Sequence, residues 1–262
     1  MRVLVTGAAG FVGQGLAAAL MRRPDVTDLV LTDRQIDGPG ARPGDLTDAG
    51  FLADLLSPGF DLVFHLASLP GARAEAEPDL GHRINLLAPL ALARAAAKAR
   101  RGARFVFASS IAVYGRVAAP VDPATPLRPD LSYGAHKAMT ELFLSDLSRR
   151  GDLSAISLRL PGIVARPAAE TGHGSAFMSQ LFHKIAAGEP YACPVPETAA
   201  CWWMSRRACV TALLHAAALS GPETVSQPPV LHATTGAVAR ATAEVTGQAA
   251  QVEWGNDPRL TA

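Results

Sequence analysis

The sequence predicts an α/β protein built on a doubly wound parallel sheet, and three observations predict it. Short apolar runs of buried-strand type alternate with helical stretches from residue 1 to about 160. The first run stops at a glycine-spaced turn, Thr6-Gly7-Ala8-Ala9-Gly10-Phe11-Val12-Gly13, which opens a helical pattern. Later strands end in small polar residues, Ser68, Ser109 and Ser110, on the side where an open α/β sheet keeps its ligand.

Bulk properties narrow the class. A chain of 262 residues can bury one full core plus a small appendage. It is 49% hydrophobic and 18% charged with a net charge of +1, so it reads as globular and offers no electrostatic case for nucleic acid or an anionic membrane. Arg100-Arg101, Arg149-Arg150 and Arg206-Arg207 are pairs, not a basic stripe. Cys193, Cys201 and Cys209 show no Cys-x-x-Cys spacing, so neither a disulfide framework nor a metal site is expected. Thr6-Gly7 interrupts the opening apolar run before a secretory segment forms, and no apolar stretch is long enough to span a bilayer. A cytoplasmic location follows as the expectation.

Taken in order, Val3-Leu4-Val5 is the first strand, and the following helix carries Leu16, Leu20 and Met21 on one side. In the turn between them Gly7 permits a sharp bend. Gly10 lets the backbone approach a pyrophosphate, and Gly13 lets helix and strand pack closely. The helix start at Phe11 and Val12 offers unpaired amides to phosphates. This is a Rossmann-type dinucleotide turn. The second strand, Leu29 to Thr32, ends at Asp33, about twenty residues past the last glycine, where a ribose 2′-hydroxyl is expected. A carboxylate there repels a 2′-phosphate, so NAD is expected over NADP; Arg34 is the residue that argues the other way. Residues 37–44 read as loop, and a helix follows Asp45-Leu46 to about Leu56. Asp45 reads as a helix-start carboxylate or an adenine contact.

The third strand, Leu62 to Phe64, runs into His65-Leu66-Ala67-Ser68. His65 reads as a packed, hydrogen-bonded histidine, and Ala67 is small where cofactor phosphate and ribose would pass. Leu69 to Pro78 reads as loop, and one long helix is expected from about Asp79 to Arg101. Asn85 is polar inside that apolar helix; it satisfies local backbone groups or stands beside the cofactor. The fourth strand, Arg104 to Ala108, delivers Ser109 and Ser110. Ser109 reads as a turn cap, and Ser110 as the serine that holds a substrate oxygen. Residues 116–131 read as a surface loop. The fifth strand runs from Ala155 to Leu160 and meets Pro161-Gly162, read as a wall against a flat ring or as a loop corner.

The chemistry centres on Ser132-Tyr133-Gly134-Ala135-His136-Lys137. On a helix from Ser132 to about Arg150, Tyr133 and Lys137 lie one turn apart on one face. An ammonium beside a phenol favours the phenolate and makes the tyrosine a usable base.

With the glycine turn, Asp33, His65-Leu66-Ala67-Ser68, Ser110 and Tyr133-x-x-x-Lys137 together, the chain resembles the extended short-chain dehydrogenase/reductase family, the group of NAD-dependent epimerases and dehydratases. The resemblance covers roughly residues 1 to 220. It implies that Tyr133 is the catalytic acid/base, that Lys137 holds the nicotinamide ribose and lowers the tyrosine pKa, and that Ser110 completes a triad. It further implies that Pro161, Ile163 and Val164 line the nicotinamide, that Asp45, Leu46, Leu66, Ala67, Ser68 and Asn85 belong to the cofactor site, and that the chain dimerises through helices 79–101 and 133–150. Asp79-Leu80-Gly81-His82-Arg83-Ile84-Asn85, Leu158-Arg159-Leu160-Pro161 and Cys193-Pro194-Val195-Pro196 narrow the resemblance to a branch that oxidises the 2-hydroxyl of a four-carbon sugar acid.

Residues 1–165 are thus expected to form the NAD-binding part and 166–262 a small substrate-binding region, not fully separate. Helices are expected at Ser175–Ala187 and Ser205–Leu219, with Trp202-Trp203 between them as buried packing. About a hundred residues after the sheet suit a small substrate better than a nucleotide sugar. A sugar-acid carboxylate needs a cation, for which Arg166, Arg206 and Arg207 are the candidates. Three other readings stand beside this one. They are an epimerase of the same fold, a non-catalytic dinucleotide sensor, and NADP-linked reduction of a carbonyl.

Overall fold

The computed structural model describes residues 1–117, 120–122, 125–167, 175–221, 224–257 and 260. Five strands alternate with helices over the first 160 residues. They are β1 (Arg2–Thr6), β2 (Asp28–Thr32), β3 (Leu62–His65), β4 (Ala103–Ser110) and β5 (Leu153–Leu160). All pair in parallel, and the sheet order is β2-β1-β3-β4-β5, closed at the far edge by β9 (Val225–Ser226). Chain order reverses at β1, which has β2 on one side and β3 on the other. The crevice at their carboxyl ends is the topological switch point where a nucleotide is expected.

Alternation along each strand builds two cores. Val3, Val5, Phe64, Val106, Ile156 and Leu158 point to one face, where α1 (Phe11–Leu20) and α8 (Arg206–Ala218) cover them with Leu16, Leu20, Cys209 and Leu213. Leu4, Val63, Phe105, Phe107 and Ala155 point to the other, beneath α2 (Ala49–Leu56), α5 (Ala88–Ala99) and α6 (Ser132–Arg149). Burial on both faces is why the strands read as continuous apolar runs. Met21 follows α1 at its C-cap and is exposed, so it does not join the Leu16–Leu20 stripe.

Three expected segments differ. The stretch from Leu69 to Pro78 holds a short helix, α3 (Gly71–Ala76), started after Pro70 and closed by an Arg73–Glu77 pair. Pro70 and Pro78 here mark helix starts, not a loop. The single helix expected over 79–101 is α4 (Pro78–His82), a π-helical turn at Arg83–Leu87, and α5. Pro89 has no N–H to give back to the preceding turn, which favours the wider turn before it. After Pro161 the chain forms another strand, β6 (Gly162–Val164).

Beyond it lie α7 (Ala176–Ala186), β7 (Tyr191–Cys193), β8 (Ala200–Ser205), β10 (Leu231–Thr234), α9 (Thr235–Thr246) and β11 (Val252–Trp254). β10-β8-β6 form a small sheet, and β11-β7 form another. These elements share a third core around Phe177, Leu181, Ile185, Tyr191 and Trp203, whose indole donates to the Ala233 carbonyl at 2.9 Å. No helix among the described residues is long and apolar enough to cross a membrane.

Candidate active site

The glycine turn is shaped by close approach. Gly7 has φ +70°, and a Cβ there would stand 2.5 Å from the Ala67 nitrogen at the end of β3. A Cβ on Gly13 would stand 2.1 Å from the Gly7 carbonyl oxygen. Gly10 differs: its Cβ would meet only that same oxygen, at 3.3 Å, and otherwise point into open space. Gly10 is the N-cap of α1 and gives no side-chain cap, so Phe11 and Val12 start the helix beside a bare backbone surface. Asp33 closes this cradle. One of its carboxylate oxygens accepts from Ala9 N at 3.1 Å, the other from Arg34 N at 2.8 Å. A bare cradle that a methyl group would fill, with a carboxylate at its rim, fits the pyrophosphate and ribose of NAD.

Asp45 accepts from the backbone N–H and hydroxyl of Thr47, both at 2.8 Å, which holds its carboxyl below the usual range. The helix-start carboxylate is Asp48, which caps α2 through Phe51 N. Leu46 packs at the margin of the α2–α5 core. Leu66 N donates to Thr6 O at 3.1 Å, tying the end of β3 to β1. Asn85 is buried in the π-helical turn and fully committed: its Oδ1 accepts from Leu69 N at 2.7 Å and Ser68 Oγ at 3.0 Å, and its Nδ2 donates to Leu69 O at 3.0 Å. It therefore fixes the Ala67–Leu69 segment along the cradle. His65 is packed as expected, with Nδ1 2.7 Å from Thr6 Oγ1 and its ring stacked on Phe107. Burial and the Lys137 charge push its pKa down to about 3.

Tyr133 lies near the start of α6, with Gly134 pressed against the turn after β4. Burial raises the pKa of its phenol above the usual value; Ser110, Ser68 and the Arg166 charge oppose that rise without cancelling it. Lys137 is buried, with Nζ donating to Ala108 O at 2.8 Å and lying 4.6 Å from the Phe107 ring centroid and 5.4 Å from that of Tyr133. Burial lowers its pKa to about 7, against the opposing charge of Glu141.

The turn cap expected of Ser109 is made by Ser110. Ser110 Oγ caps the following turn through Ala112 N at 3.1 Å while facing Tyr133. Ser109 is buried and donates to Glu141. Chain alternation sends adjacent side chains to opposite faces, so of the two only Ser109 reaches Glu141. Glu141 in turn receives Arg159, with Nη2 to Oε2 at 2.7 Å, and Arg159 Nη1 reaches Tyr114 Oη at 3.0 Å. The signal for Glu141 was present in the spacing, since it continues Tyr133 and Lys137 by one more turn.

Pro161 and the strand β6 follow β5 directly, with Ile163 buried and its carbonyl accepting from Arg166 Nε at 3.1 Å. Of the three candidate cations, Arg166 is the one whose charge acts on Tyr133. Arg206 lies with Cζ 4.9 Å from the Phe11 ring centroid, against the glycine turn. Arg207 is exposed at the start of α8. Among the described residues no group of three or more His, Cys, Asp or Glu is placed to hold a metal ion.

Residues 3–227 match the model of the NAD dependent epimerase/dehydratase family. The chain belongs to this family. It is accordingly an NAD-dependent oxidoreductase of the extended short-chain type. It is 36% identical to a D-erythronate dehydrogenase of Cupriavidus necator, over 99% of this chain and 87% of that protein. It is 34% identical to one of Haemophilus influenzae, over 82% of this chain and 72% of that protein. Its fold matches the crystal structure of a nucleoside-diphosphate-sugar epimerase from Agrobacterium tumefaciens with a TM-score of 0.91 and 33% identity, covering 99% of this chain and 83% of that one.

Proposed function

We propose that the protein oxidises the 2-hydroxyl of a small sugar acid, D-erythronate or a close analogue, with Ser110, Tyr133 and Lys137 as its triad. One observation carries the reading: buried Lys137, held by the Ala108 carbonyl at 2.8 Å, stands with Nζ 5.4 Å from the Tyr133 ring centroid, one helical turn away on α6. Relatives named D-erythronate dehydrogenase support the substrate class.

The residues divide the work by position. Gly7, Gly10, Phe11, Val12, Gly13 and Asp33 would hold the dinucleotide, with Asp45, Leu46, Leu66, Ala67, Ser68 and Asn85 along its adenosine and ribose side and Pro161, Ile163 and Val164 at the nicotinamide. Bound NAD supplies a hydride acceptor. Tyr133 takes the proton of the substrate hydroxyl, and Ser110 holds the same oxygen as it becomes a carbonyl. Lys137 and Arg166 are the cations that favour the phenolate against its burial. In a 2-hydroxy acid the carboxylate is bonded to the reacting carbon, so its cation must stand close to Tyr133. Arg166 meets that condition; Arg207 is the second candidate.

The test is NADH formation from NAD with a panel of C4 to C6 aldonic and uronic acids. D-erythronate turned over above the others is the expected result. Turnover with a different acid overturns the substrate. The family's epimerases, represented by the Agrobacterium match, give the second reading. A nucleotide sugar interconverted without net NADH release would establish it instead. Dimerisation is part of the proposal. Leu87 beside α5, and Met139 and Leu142 on α6, are exposed apolar side chains on the two expected interface helices, and light scattering reads the state directly.

A further inference from the structure

Beneath the site lies a buried charged cluster that the reaction does not touch. Glu141 has a relative side-chain exposure of 2% and Arg159 of 12%. Arg159 Nε bonds both Glu141 oxygens, at 3.1 and 3.2 Å, and Nη2 adds a third bond at 2.7 Å. Ser109 donates to the same carboxylate, and Tyr114 takes the remaining Arg159 arm, its ring centroid 4.9 Å from Cζ. Replacing such a pair by apolar residues is often neutral or stabilising, so stability alone is a weak reason for it.

Its placement supplies a better reason. The four members sit on α6, β4, β5 and the turn after β4, and three of them adjoin a residue of the site. Glu141 follows Lys137 by one helical turn. Ser109 precedes Ser110, Arg159 precedes Pro161 by two residues, and Ser109 and Arg159 are register partners across β4 and β5. The geometry points to Glu141 and Arg159 as the positioning pair of the active site: they lock α6 to the ends of β4 and β5, one helical turn below Lys137. This inference rests on the triad assigned to Ser110, Tyr133 and Lys137.

The charged and titratable groups facing Lys137 are few. Tyr133 and Glu141 lie on its own helix, His65 faces it from β3, and Arg159 on β5 acts through Glu141. His65 stays neutral, because burial holds it near a pKa of 3. Glu141 is therefore the anion opposing the desolvation of the ammonium. Lys137 is poised near 7, so loss of that anion deprotonates it in the working range. The phenolate of Tyr133 then forms only at higher pH.

The test is Glu141→Gln, which keeps size and hydrogen-bonding atoms and removes the charge. Expected are a kcat lower by about 10- to 100-fold, a rising limb of the kcat/KM profile moved to higher pH, and an unchanged Kd for NAD. Wild-type kcat and pH profile overturn the proposal, and so does a variant that loses only Tm. If Glu141→Gln alone does not fold, Glu141→Gln/Arg159→Met leaves no unpaired buried charge and is measured in its place. The same kcat loss and a shift in the same direction are expected from it, and a wild-type profile again overturns the proposal. Tyr133→Phe, measured alongside, separates the two levels. Retained turnover there removes the triad and this pair with it. An inactive Tyr133→Phe beside a wild-type-like Glu141→Gln removes the positioning pair alone.

Discussion

At the scale of single residues, Asn85 and His65 each lend the site a measurable property. Asn85 gives both ends of its amide to the Leu69 backbone. Asn85→Ala leaves two buried backbone groups unpaired, and we expect a loss of about 2–4 kcal/mol, read by chemical denaturation. A loss within experimental error would show the segment is held by other contacts. His65 gives a pH signature. Its folded pKa is about 3 against an ordinary 6.5. Between those values the unfolded chain binds a proton that the folded chain lacks. Stability is thus full above pH 6.5 and falls as pH drops toward 3, with a slope approaching about 1.4 kcal/mol per pH unit. His65→Gln should flatten that part of the curve. An unchanged slope in the variant would place the acid sensitivity elsewhere.

At the scale of elements, α6 and the turn after β4 set the geometry of Tyr133. A Cβ on Gly134 would stand 2.3 Å from the Ala112 carbonyl oxygen and 2.9 Å from Pro129 Cβ. Gly134→Ala must push the helix start away, and a shift of about 1 Å at Tyr133 should lower kcat roughly 100-fold with NAD affinity retained. Wild-type kcat in that variant would mean the helix start relaxes without moving the tyrosine. The elements also show what the sequence makes readable. The βα alternation, the cradle at Gly7–Gly13, Asp33 and the Tyr133–Lys137 pair follow from local spacing and were legible. The break at Arg83–Leu87 was not: Pro89 marks where a wider turn is favoured, but Asn85 reaching Leu69, sixteen residues away, is a tertiary contact that no local pattern shows. The turn cap falls to Ser110 and Ser109 turns to Glu141, because strand alternation relative to α6 is a tertiary fact. β9 has two residues and joins the sheet only because β5 presents an edge to it, so no local pattern marks it.

At the scale of the whole molecule, the two halves of the chain share one core. α8 and β9 come from the C-terminal region, yet α8 covers the α1 face of the sheet and β9 forms its edge. A fragment ending at residue 165 would expose Leu16, Leu20, Val106 and Ile156 to water. Such a fragment should lack a cooperative thermal transition and should aggregate. A sharp transition in the fragment would make 1–165 an independent domain.

The central claim is that Tyr133 is the base of an NAD-linked oxidation of a sugar acid. The most direct measurement is NADH formation from NAD and D-erythronate by the wild type and by Tyr133→Phe, with NAD affinity determined for both. Turnover by the wild type, none by the variant and equal NAD affinity are expected. Turnover retained by Tyr133→Phe would contradict it.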